Sequence, residues 1–242
     1  MSFDWSKYEA VLFDLDGVLT STAAIHAAAW KRTFDAALAQ LRGPDEKPFD
    51  VDADYRTYVD GRPRYDGVAA FLASRGIELP WGDPSDPPGL GTVCAIGNQK
   101  NELFNTILAE GGAEVFPGSR ALLDHLEKLG IRCAVVSSSK NAGPVLESAG
   151  VRDRFEVLVD GIVATEEGLA GKPAPDAFLE AARRMGVKPE KCVVVEDAVA
   201  GVEAGVNGYF GAVVGVDRHG DPEALRRAGA DAVVSDLGEL VP

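Results

Sequence analysis

The chain has 242 residues, 46% of them apolar, which is enough for one large domain or two modest ones with a substantial core. No run approaches the length of a membrane-spanning helix, and the opening "MSFDWSKYEA" lacks the basic-then-apolar character of a signal peptide. The net charge of −14 argues against nucleic acid and anionic membranes as partners, and three cysteines without a CxxC pairing argue against disulfides or zinc, so a cytoplasmic protein is expected.

The first predicted element is the apolar run 11–14, which leads into "DLDG". Residues two apart on a strand share a face, so Asp14 and Asp16 look the same way while Leu15 turns into the core and Gly17 opens a turn. Two carboxylates this close repel, and one is pushed toward protonation unless a cation lies between them. From 21 to 113 the pattern changes to helical periodicity alone, in "AIHAAAWKRTFDAALAQL", "RYDGVAAFLASRG" and "AIGNQKNELFNTILAEGG". Between the last two lies "PWGDPSDPPGLG", too rigid and polar for either element.

Strands and helices then alternate. Val-rich runs follow at 131–137, 155–160, 192–196, 212–216 and 232–235, and with 11–14 four or more of these six read as strands buried on both faces. "GSRALLDHLEKLG" offers Ser119 as a helix N-cap and Gly130 just past the end. "APDAFLEAARRMG" puts Pro175 in a first turn, and "DPEALRRAGA" offers Asp221 as N-cap with Pro222 at the first helical position. The alternation predicts an α/β fold with a doubly wound parallel sheet, formed by residues 1–20 and 114–242 and interrupted by a helical cap over 21–113. Small or turn-forming residues in 20–22 and 111–117 suit hinges for cap closure.

Ligands of an open parallel sheet bind beyond the carboxyl ends of its strands, and polar groups gather at three such ends. These are Asp14 with Asp16, Ser137 followed by Lys140 and Asn141, and Glu196 with Asp197. Asp14, Asp197, Glu196 and the carbonyl of Asp16 suit Mg²⁺ with retained waters. A cation there lets Asp14 attack a phosphate as a carboxylate nucleophile, giving an aspartyl phosphate. Asp16 then serves as general acid and base, Ser137 and the following helix start hold non-bridging oxygens, and Lys172 of "GKPAPD" offsets developing negative charge. No GxGxxG follows the first strand and no GxxxxGK[ST] occurs.

In order and spacing, "FDLDGVLT", "SSSKN", "GKPAPD" and "VVVEDAVAGVEA" resemble the signature motifs of the haloacid dehalogenase superfamily. That resemblance implies a Rossmann-like core with a helical cap after the first strand, Mg²⁺ and an aspartyl-phosphate intermediate. Asp16 separates the chain from true dehalogenases, whose motif lacks it. The resemblance extends into the cap, to the β-phosphoglucomutase-like subgroup. "TSTAAIHAAAW" places Thr22, His26 and Trp30 at that subgroup's hinge and first cap helix, and "VDGRPRYDGV" resembles its specificity loop, with Gly61 and Arg64 near the sugar and its second phosphate. "NQKNEL" places Lys100 at its cap lysine, and "SSSKN" places Ser138, Lys140 and Asn141 at the transferring phosphate. Where the subgroup has a lysine before the loop glycine, this chain has Asp60. The implied function is a monomeric mutase converting β-glucose 1-phosphate to glucose 6-phosphate. A sugar-phosphate phosphatase and a non-catalytic sugar-phosphate-binding regulator are the alternatives.

Overall fold

A computed structural model describes residues 3–59, 62–218 and 220–242. Backbone contacts divide the chain into two units, Met1–Thr22 with Ala113–Pro242, and Ala23–Gly112.

The first unit is built on a six-stranded sheet: β1 (Ala10–Phe13), β2 (Arg132–Val136), β3 (Val157–Val159), β4 (Cys192–Glu196), β5 (Ala212–Val216) and β6 (Ala232–Val234). Their order is β3-β2-β1-β4-β5-β6, with every neighbouring pair parallel. Each residue of β1, β4 and β5 is buried, as β-branched side chains covered on both faces should be. Register sets Phe13 beside both Val135 and Val195, so the chain leaves β1 next to Glu196, the last residue of β4.

Several strands end before the sequence suggests. β1 stops at Phe13 and β2 at Val136, because the polar residues that follow pair on one side only. The Asp14 N–H donates to the Val195 carbonyl at 2.9 Å, and the Ser137 N–H to the Val159 carbonyl at 3.0 Å. β3 ends before Asp160 because that carboxylate turns to cap the next helix, accepting from the Ile162 and Val163 N–H groups at 3.0 Å each.

The second unit contains α1 (Ala23–Arg42), α2 (Arg64–Ser74) and α3 (Val93–Gly111), and no strand among its described residues. Its core is aromatic. Phe34 lies 4.1 Å from Phe71, 4.9 Å from Trp30 and 5.0 Å from Phe49, between ring centroids. The proline-rich segment forms no regular element, but Thr92 at its end caps α3, accepting from the Ala95 N–H at 3.0 Å. A short π-helical turn at Tyr55–Val59 was not expected from periodicity. It is begun by Asp50, whose carboxylate accepts from the Asp52 and Ala53 N–H groups.

The sheet's helices are α4 (Pro117–Leu129), α5 (Ala142–Ser148), α6 (Gly161–Glu167), α7 (Asp176–Met185), α8 (Val199–Asn207) and α9 (Pro222–Arg227). Two caps differ from expectation. α4 starts at Pro117, and the Ser119 hydroxyl, inside the helix, donates to the Val18 carbonyl at 2.6 Å instead of capping. Pro175 sits at the N-cap of α7 rather than in its first turn, where its carbonyl accepts from the Leu179 N–H at 2.9 Å. Gly130 ends α4 in the left-handed region, and Asp221 caps α9 through the Ala224 N–H, as expected. No helix among the described residues is long and apolar enough to cross a membrane.

Candidate active site

Beyond β1 the chain folds into a tight loop. The N–H groups of Leu19 and Thr20 both donate to the Leu15 carbonyl, and the Gly17 N–H donates to the Thr20 carbonyl at 3.0 Å. Leu15 is fully buried, which leaves the flanking aspartates to face the sheet's polar end. Gly17 has φ +82, and a Cβ there would lie 2.0 Å from Asp197 Oδ2. Glycine is therefore required twice, for the turn and for the approach of a residue from β4's end. The Asp16 carboxylate accepts from the buried Thr22 hydroxyl, which also lies 3.1 Å from the Thr20 hydroxyl.

Asp14, Glu196 and Asp197 come together, each offering a carboxylate oxygen within 4.8 Å of the others. Asp16 contributes no side-chain oxygen to this group. Glu196, 1% exposed, is held firmly: its Oε2 accepts from the Asp197 and Ala198 N–H groups at 3.0 Å each. A Cβ on Gly201 would lie 1.9 Å from that carboxylate, so α8 carries glycine where Glu196 must fit. Lys172 Nζ reaches Asp14 Oδ1 at 2.5 Å and also pairs with Glu196.

The electrostatics follow from one ammonium among several carboxylates. Burial pushes the Asp14 carboxyl up, to about 8, with Glu196 and Asp16 adding to the rise and Lys172 opposing it. Burial also works against the Lys172 charge, but Asp14 and Glu196 outweigh it and hold the ammonium above its usual value. Lys172 therefore stays charged, and Asp14 takes the proton that one ammonium cannot replace.

The second strand end is organised by its own hydroxyls. Ser137 Oγ accepts from the Ser139 N–H, and Ser139 Oγ from the Asn141 N–H, both at 3.1 Å. Ser138 and Lys140 are exposed, whereas Asn141 is buried. Gly161, at the start of α6, donates its N–H to the Ser139 carbonyl at 3.1 Å, and a Cβ on it would meet the Ser138 carbonyl at 2.6 Å. Neither Gly161 nor Gly201 was singled out from sequence, although each glycine sits just after a strand's polar end, where close approach is a standing reason for one.

Within the helical unit, Lys100 is 4% exposed, with Nζ 2.7 Å from His26 Nδ1, 5.0 Å from the Trp30 ring centroid and 4.9 Å from that of Phe104. The His26 and Phe104 rings stack at 4.3 Å. Arg64 Nη2 donates to Asn101 Oδ1 at 2.8 Å, and burial lowers the pKa of its guanidinium. Thr22 belongs to the sheet's unit, beside Asp16. Asp60 and Gly61 lie outside the described residues.

The haloacid dehalogenase-like hydrolase family matches residues 8–208. The chain belongs to that family. β-Phosphoglucomutase of Mycobacterium bovis is 51% identical over 242 residues, covering 97% of this chain and 92% of that protein. The phosphorylated carbohydrates phosphatase of Thermotoga maritima is 30% identical over 232 residues, covering 93% and 94% respectively. Among solved structures, β-phosphoglucomutase from Clostridium difficile is similar with a TM-score of 0.76 at 27% identity, covering 96% of this chain and 93% of that one. The chain is thus an enzyme of the haloacid dehalogenase superfamily, whose relatives support phosphoryl transfer, and the non-catalytic reading falls away.

For a haloacid dehalogenase-like enzyme, the carboxylate group fits a hard divalent cation. Three oxygen donors converge, and burial beside other carboxylates favours on one of them a proton that a cation would displace. The same arrangement brings the Asp14 carboxyl, the Lys172 ammonium and the Asp16 carboxylate held by Thr22 within one loop and its neighbours.

Proposed function

We propose that the protein is a Mg²⁺-dependent β-phosphoglucomutase that converts β-glucose 1-phosphate to glucose 6-phosphate by phosphoryl transfer through Asp14. The observation that carries this reading is the 51% identity to a β-phosphoglucomutase along 97% of the chain. Asp14 attacks phosphorus, so that a bond forms to its carboxylate oxygen while the bond to the sugar oxygen breaks. Asp16, fixed by Thr22, gives a proton to the departing oxygen, and in the return transfer takes one from the attacking hydroxyl. Each turnover opens with the transfer out of phosphorylated Asp14: the aspartyl O–P bond breaks as a bond forms to the 6-hydroxyl of β-glucose 1-phosphate. The bisphosphate so formed turns around before Asp14 attacks its 1-phosphate and glucose 6-phosphate leaves. Lys172 offsets charge building on Asp14. Mg²⁺, held by Asp14, Asp197, Glu196 and the Asp16 carbonyl, supplies the positive charge that lets a carboxylate meet a phosphate dianion.

Ser137, Ser138, Lys140 and Asn141 receive the oxygens of the transferring phosphate. His26, Trp30, Arg64 and Lys100 of the helical unit, with Thr22 and the segment Asp60–Gly61, contact the sugar and its second phosphate. A guanidinium matches phosphate with paired N–H groups, which fits Arg64 to that distal group.

A coupled assay tests the reading. Glucose 6-phosphate formed from β-glucose 1-phosphate without matching release of inorganic phosphate supports the mutase. Steady phosphate release with no isomer refutes it and favours a sugar-phosphate phosphatase, a second reading supported by the Thermotoga maritima relative.

A further inference from the structure

Three consecutive carbonyls of the loop that carries Asp14 and Asp16 are each held by a donor from another segment. The Leu19 carbonyl accepts from the Phe116 N–H at 3.0 Å, the Val18 carbonyl from Ser119 Oγ at 2.6 Å, and the Gly17 carbonyl from Arg218 Nε at 2.7 Å. Arg218 follows β5 and lies 201 positions from Gly17 along the chain. Its Nη1 donates to the Ser235 carbonyl, just past β6, at 3.1 Å, and its Cζ lies 3.9 Å over the centre of the Phe116 ring. Phe116 therefore holds Leu19 with its backbone and Arg218 with its ring face. Nη2 is buried with no hydrogen-bond partner among the described residues. Only a planar guanidinium stacks on a ring while aiming separate N–H groups at two carbonyls.

We infer that Arg218 is a positioning residue for phosphoryl transfer, setting through the Gly17 carbonyl the orientation of the loop that presents Asp14 and Asp16. This rests on the phosphoryl-transfer reading above. Gly17 is the pivot of that loop, with its N–H on the Thr20 carbonyl, its φ at +82 and its α-carbon against Asp197. The peptide plane that bears its carbonyl sets the direction of everything from Asp16 to Val18. Arg218 fixes that plane from outside. Its Nε and Nη1 are taken by two carbonyls and its face lies on a ring, so it acts on the reaction through the loop.

The test compares Arg218→Lys and Arg218→Ala with Arg132→Ala. Arg132 opens β2, donates to the Met185 carbonyl at 2.8 Å and pairs with Glu156, so its removal costs arginine contacts at the sheet's opposite end, away from the Asp14 loop. Turnover of p-nitrophenyl phosphate and of β-glucose 1-phosphate is measured with Mg²⁺, well below each variant's unfolding midpoint, alongside hydrogen exchange at the Gly17 amide. Both Arg218 variants should lose about 10–100-fold in kcat with KM nearly unchanged, as expected for displaced reacting groups. Gly17 exchange should quicken, and Arg132→Ala should keep wild-type kcat. If Arg218→Ala fails to fold, Arg218→Lys carries the same test. Unchanged kcat with unchanged Gly17 exchange overturns the assignment, as does a rise in KM at full kcat or an equal loss in Arg132→Ala. A wild-type enzyme that turns over only p-nitrophenyl phosphate fails the substrate assignment, while the p-nitrophenyl phosphate comparison still decides the role of Arg218. One that turns over neither compound sinks both.

Discussion

In the proposed function Asp14 is a Mg²⁺ ligand, and its electrostatics would then make metal binding a competition with a proton. In the metal-free protein, burial lifts the Asp14 carboxyl to about 8, with Lys172 only partly opposing the rise. A carboxylate must be ionised to ligate, so the apparent Mg²⁺ affinity should rise about tenfold per pH unit up to that value and then level off. At about pH 6 it should be weaker than its plateau by about 100-fold, and at about pH 7 by about tenfold. Stability runs the other way. The folded pKa lies above the ordinary aspartate value of 3.8, so the metal-free fold keeps a proton that the unfolded chain releases. That contribution is complete below the unfolded value and is lost as pH rises toward about 8, with a slope of at most ~1.4 kcal/mol per pH unit. Isothermal titration with MgCl₂ across this range, at fixed ionic strength, measures the first trend, and urea unfolding in chelator measures the second. Asp14→Asn, neutral throughout, should abolish both slopes. Wild-type Mg²⁺ affinity that stays flat between about pH 6 and 8 would refute the claim that Asp14 holds the displaced proton.

Two further perturbations probe the same loop. Asp16→Ala should lower kcat by about 10²–10⁴-fold, the usual contribution of general acid–base catalysis, with the urea unfolding midpoint close to wild type; an unchanged rate removes Asp16 from proton transfer. Gly17→Ala forces a side chain into positive φ, costing ~1–3 kcal/mol, and drives its Cβ against Asp197 Oδ2, 2.0 Å away. Weaker urea stability and impaired Mg²⁺ binding by calorimetry should appear together, and wild-type Mg²⁺ affinity in this variant would mean that Asp197 is not a ligand.

Much of the architecture was readable because its signals are local. A valine run flanked by a helix pattern is a strand whatever else the chain does, and β4 and β5 occupy the very residues that their apolar runs mark. The acidic ends of β1 and β4 were readable for the same reason, since charges at the close of an apolar run have one place to go. Local rules failed where a distant partner made a better offer. Ser119 has the chemistry of an N-cap, but its hydroxyl finds the Val18 carbonyl, 101 positions away, and Pro117 starts the helix first.

That failure also explains which parts of the candidate site escaped the sequence. Asp14 and Asp16 announce themselves by type and spacing, whereas the groups that aim them act across the fold. Gly201 makes room for Glu196, and Gly161 braces the loop after β2. Arg218 grips Gly17 from the far side of β5. A glycine or an arginine in such a place carries no periodicity, and its neighbours in sequence say nothing of a contact made with residues far along the chain. The chemistry of a phosphoryl-transfer site is therefore written locally in its carboxylates. Its precision is written in long-range contacts, and perturbing those should change rate more than binding.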